Sequence, residues 1–156
     1  MIDRTITQTR TFDSVIQIRE SEEQPIIEGK FITFTGEFRM PWGDYETVSP
    51  ELEIVGDDIR ALINHDSTLV LGRTKANTLT LERKDDGEWG TILVNPKDTD
   101  AMNCHARVER GDVSQCSFGF DILDEDTETL EDGTIHWTIK KIRLYEVSVC
   151  TFPAYE

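Results

Sequence analysis

Along most of the chain, apolar and β-branched residues come in short runs separated by turn residues, and helical periodicity is rare. The first 28 residues are polar, acidic and weakly patterned, and end in the run Glu20 to Pro25. They predict a loose arm with one strand around Val15 to Ile18. From Gly29 the pattern sharpens. Lys30 to Phe38 is rich in aromatic and β-branched residues, which suit a half-buried strand, and Pro41, Gly43 and Asp44 make a turn. Ser49-Pro50-Glu51 has the chemistry of a short helix start, cut off by Gly56. Strands are then predicted at Ala61 to Asn64, Thr68 to Arg73, Thr78 to Arg83 and Trp89 to Val94, with Lys84-Asp85-Asp86-Gly87 as one turn.

A single helix is predicted. Asp98 or Thr99 caps it, Ala101, Cys104 and Val108 follow at helical spacing, Arg107 and Arg110 fall in its last turn and Gly111 closes it. A strand at Cys116 to Leu123, an acidic hairpin loop from Asp124 to Gly133 and a long strand region from Thr134 to Thr151 complete the chain. Frequent short strands favour a sandwich or barrel over βαβ units. The expected fold is mainly β, a small barrel or sandwich with one helix over about 99–110. It divides into an arm at 1–28 and one domain at 29–156.

Composition narrows the function. The 156 residues include 31 acidic against 16 basic ones, a formal net charge of −15. Such a surface argues against nucleic acid as the main ligand and is compatible with a basic protein partner. Charges interrupt every apolar stretch well short of the roughly 18 residues of a membrane span. The N-terminus lacks a signal-peptide core, so a cytoplasmic protein is expected. Cys104, Cys116 and Cys150 form no CxxC pair, which points to reduced, buried thiols rather than a disulfide framework or a zinc site. No cofactor or metal is expected.

Three segments carry candidate chemistry. His65, in Ile63-Asn64-His65-Asp66, falls between two strands among polar neighbours; on local context alone a structural loop histidine is the commoner outcome. His105 and His136 read as structural. Ser117 lies in Cys116-Ser117-Phe118-Gly119-Phe120, where strand alternation puts the two phenylalanines on one face and Ser117 with Gly119 on the other. Gly119 would leave space for a substrate backbone to approach. In Arg143 to Cys150, alternation groups Leu144, Glu146 and Ser148 on one face. An acid in so apolar a strand needs a partner. A histidine would serve, as would Arg143 or Lys141.

Together these segments resemble the prohead maturation protease family of tailed bacteriophages, which is distantly related to the capsid-assembly protease of herpesviruses. The matching stretches are Asn64-His65-Asp66, Val70 to Thr74, Asp98-Thr99, Arg110 to Val113, Cys116 to Phe120 and Leu144 to Tyr155. The resemblance implies a β-barrel with helices around it, Ser117 as nucleophile, His65 as its base and Glu146 as the orienting acid. Asp66 is the rival third member, disfavoured because successive side chains of an extended segment point apart. The implied reaction is acyl transfer to Ser117 and hydrolysis of the acyl-enzyme. The oxyanion donors stay unassigned, since Pro153 and Ala154 stand where the herpesvirus enzymes use arginines. The implied substrates are the scaffold region of the major capsid protein and the protease itself, cut inside the assembling prohead in the host cytoplasm. The herpesvirus relatives work as dimers, so a homodimer belongs among the implied partners; nucleic acid and membrane do not. Two other readings stand beside this one. The first is an inactive capsid- or scaffold-associated β-domain, and the second is a cysteine hydrolase using Cys116 or Cys150.

Overall fold

In the computed structural model, residues 3–20 and 24–151 are described. Ser21, Glu22 and Glu23 of the acidic run and Phe152 to Tyr155 of the last matching stretch lie outside the described residues. Among the described residues the chain forms eleven strands and one α-helix. The strands are β1 Gln8–Asp13, β2 Ile16–Arg19, β3 Ile26–Thr33, β4 Phe38–Arg39, β5 Tyr45–Val55, β6 Arg60–Ile63, β7 Asp66–Arg73, β8 Leu79–Lys84, β9 Gly87–Leu93, β10 Gln115–Thr129 and β11 Ile135–Cys150. The helix, α1, spans Thr99–Arg110 between β9 and β10.

The mainly β class with one helix is as expected, but the barrel is not closed. β1, β10, β11, β5 and β4 run in that order through a seven-stranded sheet, with β6 and β7 branching from β11, and β2, β3, β9 and β8 make a second sheet of four. The ends of the first sheet approach only through side chains, the Phe12 and Phe38 rings meeting edge to face at 6.2 Å. The core lies where Ile27, Phe31 and Ile32 of β3 meet Cys116, Phe118 and Phe120 of β10 and Val147 and Val149 of β11. Phe118 and Phe120 are fully buried and stacked at 4.5 Å, worth about 1.5–3 kcal/mol each in transfer free energy.

The helix forms as its pattern predicts. Asp98 accepts hydrogen bonds from the Asp100 and Ala101 amides, and Gly111 ends the helix in the left-handed conformation, φ 89°. Ala101, Cys104, His105 and Val108 make its buried face.

Three local expectations fail for identifiable reasons. Ser49-Pro50-Glu51 opens no helix but lies inside β5. There the register against β11 jumps from Val48↔Ile139 to Glu53↔Lys141, so Pro50 faces an interruption of the ladder where its missing N–H costs little. The acidic stretch expected as a loop is strand as far as Thr129, because β11 pairs with it through Thr129↔Ile135. The N-terminal arm holds the strand expected around Val15 to Ile18, as β2 on β3, and also a second that was not expected, β1 on β10. Arg4 and Arg10 anchor it by ion pairs to the fully buried Glu46, at 2.8 and 2.6 Å, and local pattern carries no sign of such long-range pairs.

Candidate active site

β11 is the strand around which the site is built. It pairs with β10 on one side, matching Ser117 with Ser148 and Gly119 with Glu146. On the other side its last turns of pleat pair with β6, matching Ser148 with Leu62 and Val149 with Ile63. Directly paired residues share a face, and Cys116, Phe118, Val147 and Val149 take the core face. Ser117, Gly119, Glu146 and Ser148 therefore share the opposite one. Leu144, expected beside Glu146, belongs to the core instead. A bulge at Tyr145, between the pairs Gly119↔Glu146 and Phe120↔Leu144, switches the face.

His65 reaches this face from a strained turn. Ile63 and Asp66 pair across a two-residue hairpin, and both central residues are left-handed, Asn64 at φ 51° and His65 at φ 59°. That is the type I′ geometry, which suits asparagine first and normally glycine second. A histidine there costs about 1–2 kcal/mol. Neighbouring contacts hold it in place. The Asn64 amide donates to the Val149 carbonyl, and the Asn64 side chain accepts from the Thr151 amide. The His65 amide donates to Ser148 Oγ at 3.0 Å, and Nδ1 lies 2.5 Å from Glu146 Oε2. Ser148 Oγ in turn donates to Glu146 Oε1 at 2.7 Å.

The second ring nitrogen, Nε2, is buried and has no hydrogen-bond partner. The Cys150 thiol, first, and the Glu146 carboxylate, second, raise His65 from 6.5 to about 10 against the opposing effect of burial. The thiol acts on the ring as a near neighbour, not as a partner that satisfies Nε2.

At Gly119 a Cβ would lie 2.3 Å from Glu146 Oε2, so the missing side chain makes room for the carboxylate. Asp66 is turned to a local task. It accepts from the Thr68 hydroxyl and amide, which lower its pKa, and it makes no bond to His65. Lys141 pairs with Glu53, leaving the Glu146 carboxylate to His65 and Ser148.

Ser117 sits one strand away from this pair on the same face, fully buried. Its hydroxyl donates to the Arg10 carbonyl at 2.8 Å and accepts from Thr11 Oγ1 at 2.9 Å, both on β1. A hydroxyl has one proton, and here that proton goes to β1 and not to His65.

The remaining candidates are structural in their contacts. His136 stacks on Tyr45 at 4.4 Å and bonds Thr47, and His105 lies on the buried face of α1. All three cysteines are free and buried. Cys116 belongs to the core, and burial pushes its thiol up to about 12, which leaves no nucleophilic thiolate near neutral pH. Two participants carried no role in the sequence reading. Alternation puts Ser148 on the right face without a task, and β1 falls within the polar, weakly patterned arm. The Asn-His pair between two β-branched runs, with histidine where a type I′ turn prefers glycine, is the signal that points to a held imidazole.

The family model described as caudovirus prohead serine protease matches residues 13–156. Of β1, that match includes only Asp13. Searches of curated proteins and of solved structures give no match.

Proposed function

Because the chain belongs to the caudovirus prohead serine proteases, we propose that it is a serine endopeptidase that cuts the scaffold region of the major capsid protein, and itself, within the assembling prohead. Ser117 is the nucleophile, His65 the general base and Glu146 the acid that orients it. One observation carries the assignment of roles: an imidazole held at Nδ1 by a buried-side carboxylate keeps a free, buried Nε2 on the sheet face that bears Ser117. Once it has released its own Nε2 proton to solvent, such an imidazole can take the serine proton and later give it to the leaving amine, while the carboxylate stabilises the imidazolium.

Chemistry requires one change in the arrangement. The Ser117 proton must turn from the Arg10 carbonyl to His65 Nε2 before acylation, and we infer that withdrawal of β1 is what releases the hydroxyl from its two β1 partners. β1 is an edge strand, hydrogen-bonded into the sheet on one side only, which makes withdrawal less costly than for a central strand. An enzyme closed in this way would spare the scaffold until the shell is assembled.

A second reading rests on Cys150. By alternation it shares the Glu146 face, and its sulfur is the strongest influence on His65, so a thiol nucleophile has a base nearby. The test is co-expression with the cognate capsid protein and intact-mass analysis of the products. Ser117→Ala and His65→Ala should abolish cleavage, a loss of about 10³-fold or more. Glu146→Gln should lower it sharply, while Asp66→Asn should leave it within about twofold. Cleavage that survives Ser117→Ala and is lost in Cys150→Ala would replace the serine by the thiol; a substrate left intact by wild type would point to a binding domain.

A further inference from the structure

We propose that Ser148 is a positioning residue that fixes His65 and Glu146 relative to each other; this rests on the reading of those two as base and acid. Three observations support it. Ser148 is fully buried and directly paired with Ser117 across the β10–β11 ladder, so it occupies the centre of the site. Its hydroxyl makes two bonds of opposite sense, accepting from the His65 amide and donating to Glu146 Oε1. Each bond acts on a group that would otherwise be loose. The amide belongs to a residue in a strained left-handed conformation, which persists only where the surroundings over-determine it. The carboxylate stands over Gly119, a position with no side chain of its own to steer it.

One hydroxyl thus closes a ring that runs from the His65 backbone through Ser148 and Glu146 to the His65 imidazole. Without it, Nδ1 and Oε2 can still meet, but no contact ties the carboxylate to the turn that carries the ring. The imidazole and the carboxylate then no longer keep one fixed orientation relative to the sheet face that bears Ser117. Catalysis is sensitive to displacements of this size, because the reacting atoms must approach to about 3–3.5 Å.

The experiment is a double-mutant cycle on the full chain, combining Ser148→Ala with Glu146→Gln. It is read two ways. The His65 ring titration is followed by NMR, and the rate of Ser117 phosphonylation by a fluorophosphonate probe is followed by intact mass. Ser148→Ala alone should lower the His65 titration midpoint and slow labelling about tenfold or more, the size of one hydrogen bond to a charged group. In the Glu146→Gln background the same change should alter either readout by less than about twofold, since the pair it supports is gone. Equal effects in both backgrounds would mean that Ser148 only packs, and the proposal falls. If Ser148→Ala does not fold, the isosteric pair Ser148→Thr and Ser148→Val decides: threonine should keep the wild-type titration and valine should not. The titration needs no activity. A coupled titration beside unchanged capsid-protein cleavage in Ser117→Ala would therefore sink the serine-protease reading while showing that Ser148 still ties Glu146 to the His65 turn.

Discussion

The two sides of the site are in opposite states. On the β11 side, His65, Glu146 and Ser148 are joined by three hydrogen bonds into one unit around the proposed base. On the β1 side, the Ser117 hydroxyl is committed to Arg10 and Thr11, and its proton is turned away from the base. The side of the proposed base is assembled and the side of the proposed nucleophile is shut. Their anchoring differs as well. The assembled side stands on a strand paired on both edges, whereas the shut side depends on an edge strand held by Arg4 and Arg10 to Glu46. Control by the proposed withdrawal of β1 would put the switch on an edge strand and keep precision on a strand paired on both sides.

The largest effect is expected from preventing that movement. Asp13 and Gln115 are directly paired across β1 and β10 near their ends, so Asp13→Cys with Gln115→Cys places two thiols at a cross-strand distance that a disulfide can span. Oxidised, the strand should stay on Ser117, and fluorophosphonate labelling should drop at least about tenfold below the reduced form of the same protein. Reduction should restore it. Equal labelling in both redox states would show that the serine becomes reactive without β1 leaving, and the contrast between the two sides would lose its meaning.

How much of this could be read in the sequence follows the range of the interactions. α1 was legible to the residue because its cap, its periodic face and its Gly111 terminus are local. The strands around His65 and Ser117 were legible for the same reason. The bulge at Tyr145 was not, since a one-residue slip of register reverses a face and leaves no local mark. Neither was β1, whose place depends on Glu46 accepting two arginines from a segment far away in the chain. Within the site, the candidate residues were visible as residue types. Their partners were set by pairing of β10, β11 and β6, so the reason for Gly119 and the bonds of Ser148 emerged only with the register.

The next effect tests the assembled side alone. Gly119→Ala adds a Cβ 2.3 Å from Glu146 Oε2, closer than any stable contact, so the carboxylate must shift and its bond to His65 is disturbed. Gly119 is not in a left-handed conformation, and the strand itself can accept alanine. Labelling of Ser117 should fall by about 10²-fold, matching Glu146→Gln, with thermal stability changed by no more than a few degrees. A variant that labels like wild type would show that the space over Gly119 is not reserved for the acid.

The smallest effect concerns pH, and it separates the two neighbours of the imidazole. His65 is raised to about 10, with Cys150 the larger cause and Glu146 the second. A histidine with a raised pKa contributes stability that is full below about 6.5, the unfolded value, and is lost as pH climbs through about 10. The same shift keeps the ring protonated at neutral pH, so the assembled base is itself restrained: it becomes competent only as pH rises or as the neighbouring groups move. Cys150→Ala removes the larger cause and keeps the smaller. The His65 titration midpoint should fall by about one unit or more while staying above 6.5. The pH range over which stability is lost should move down with it, and the unprotonated fraction near pH 8 should rise about tenfold. Ser117 labelling at that pH should increase in step, unless β1 alone limits it, in which case the disulfide-free wild type and Cys150→Ala label equally despite different titrations. An unchanged midpoint would assign the whole shift to Glu146. The thiol would then be a bystander, and the β11 side would hold its base through the carboxylate and Ser148 alone.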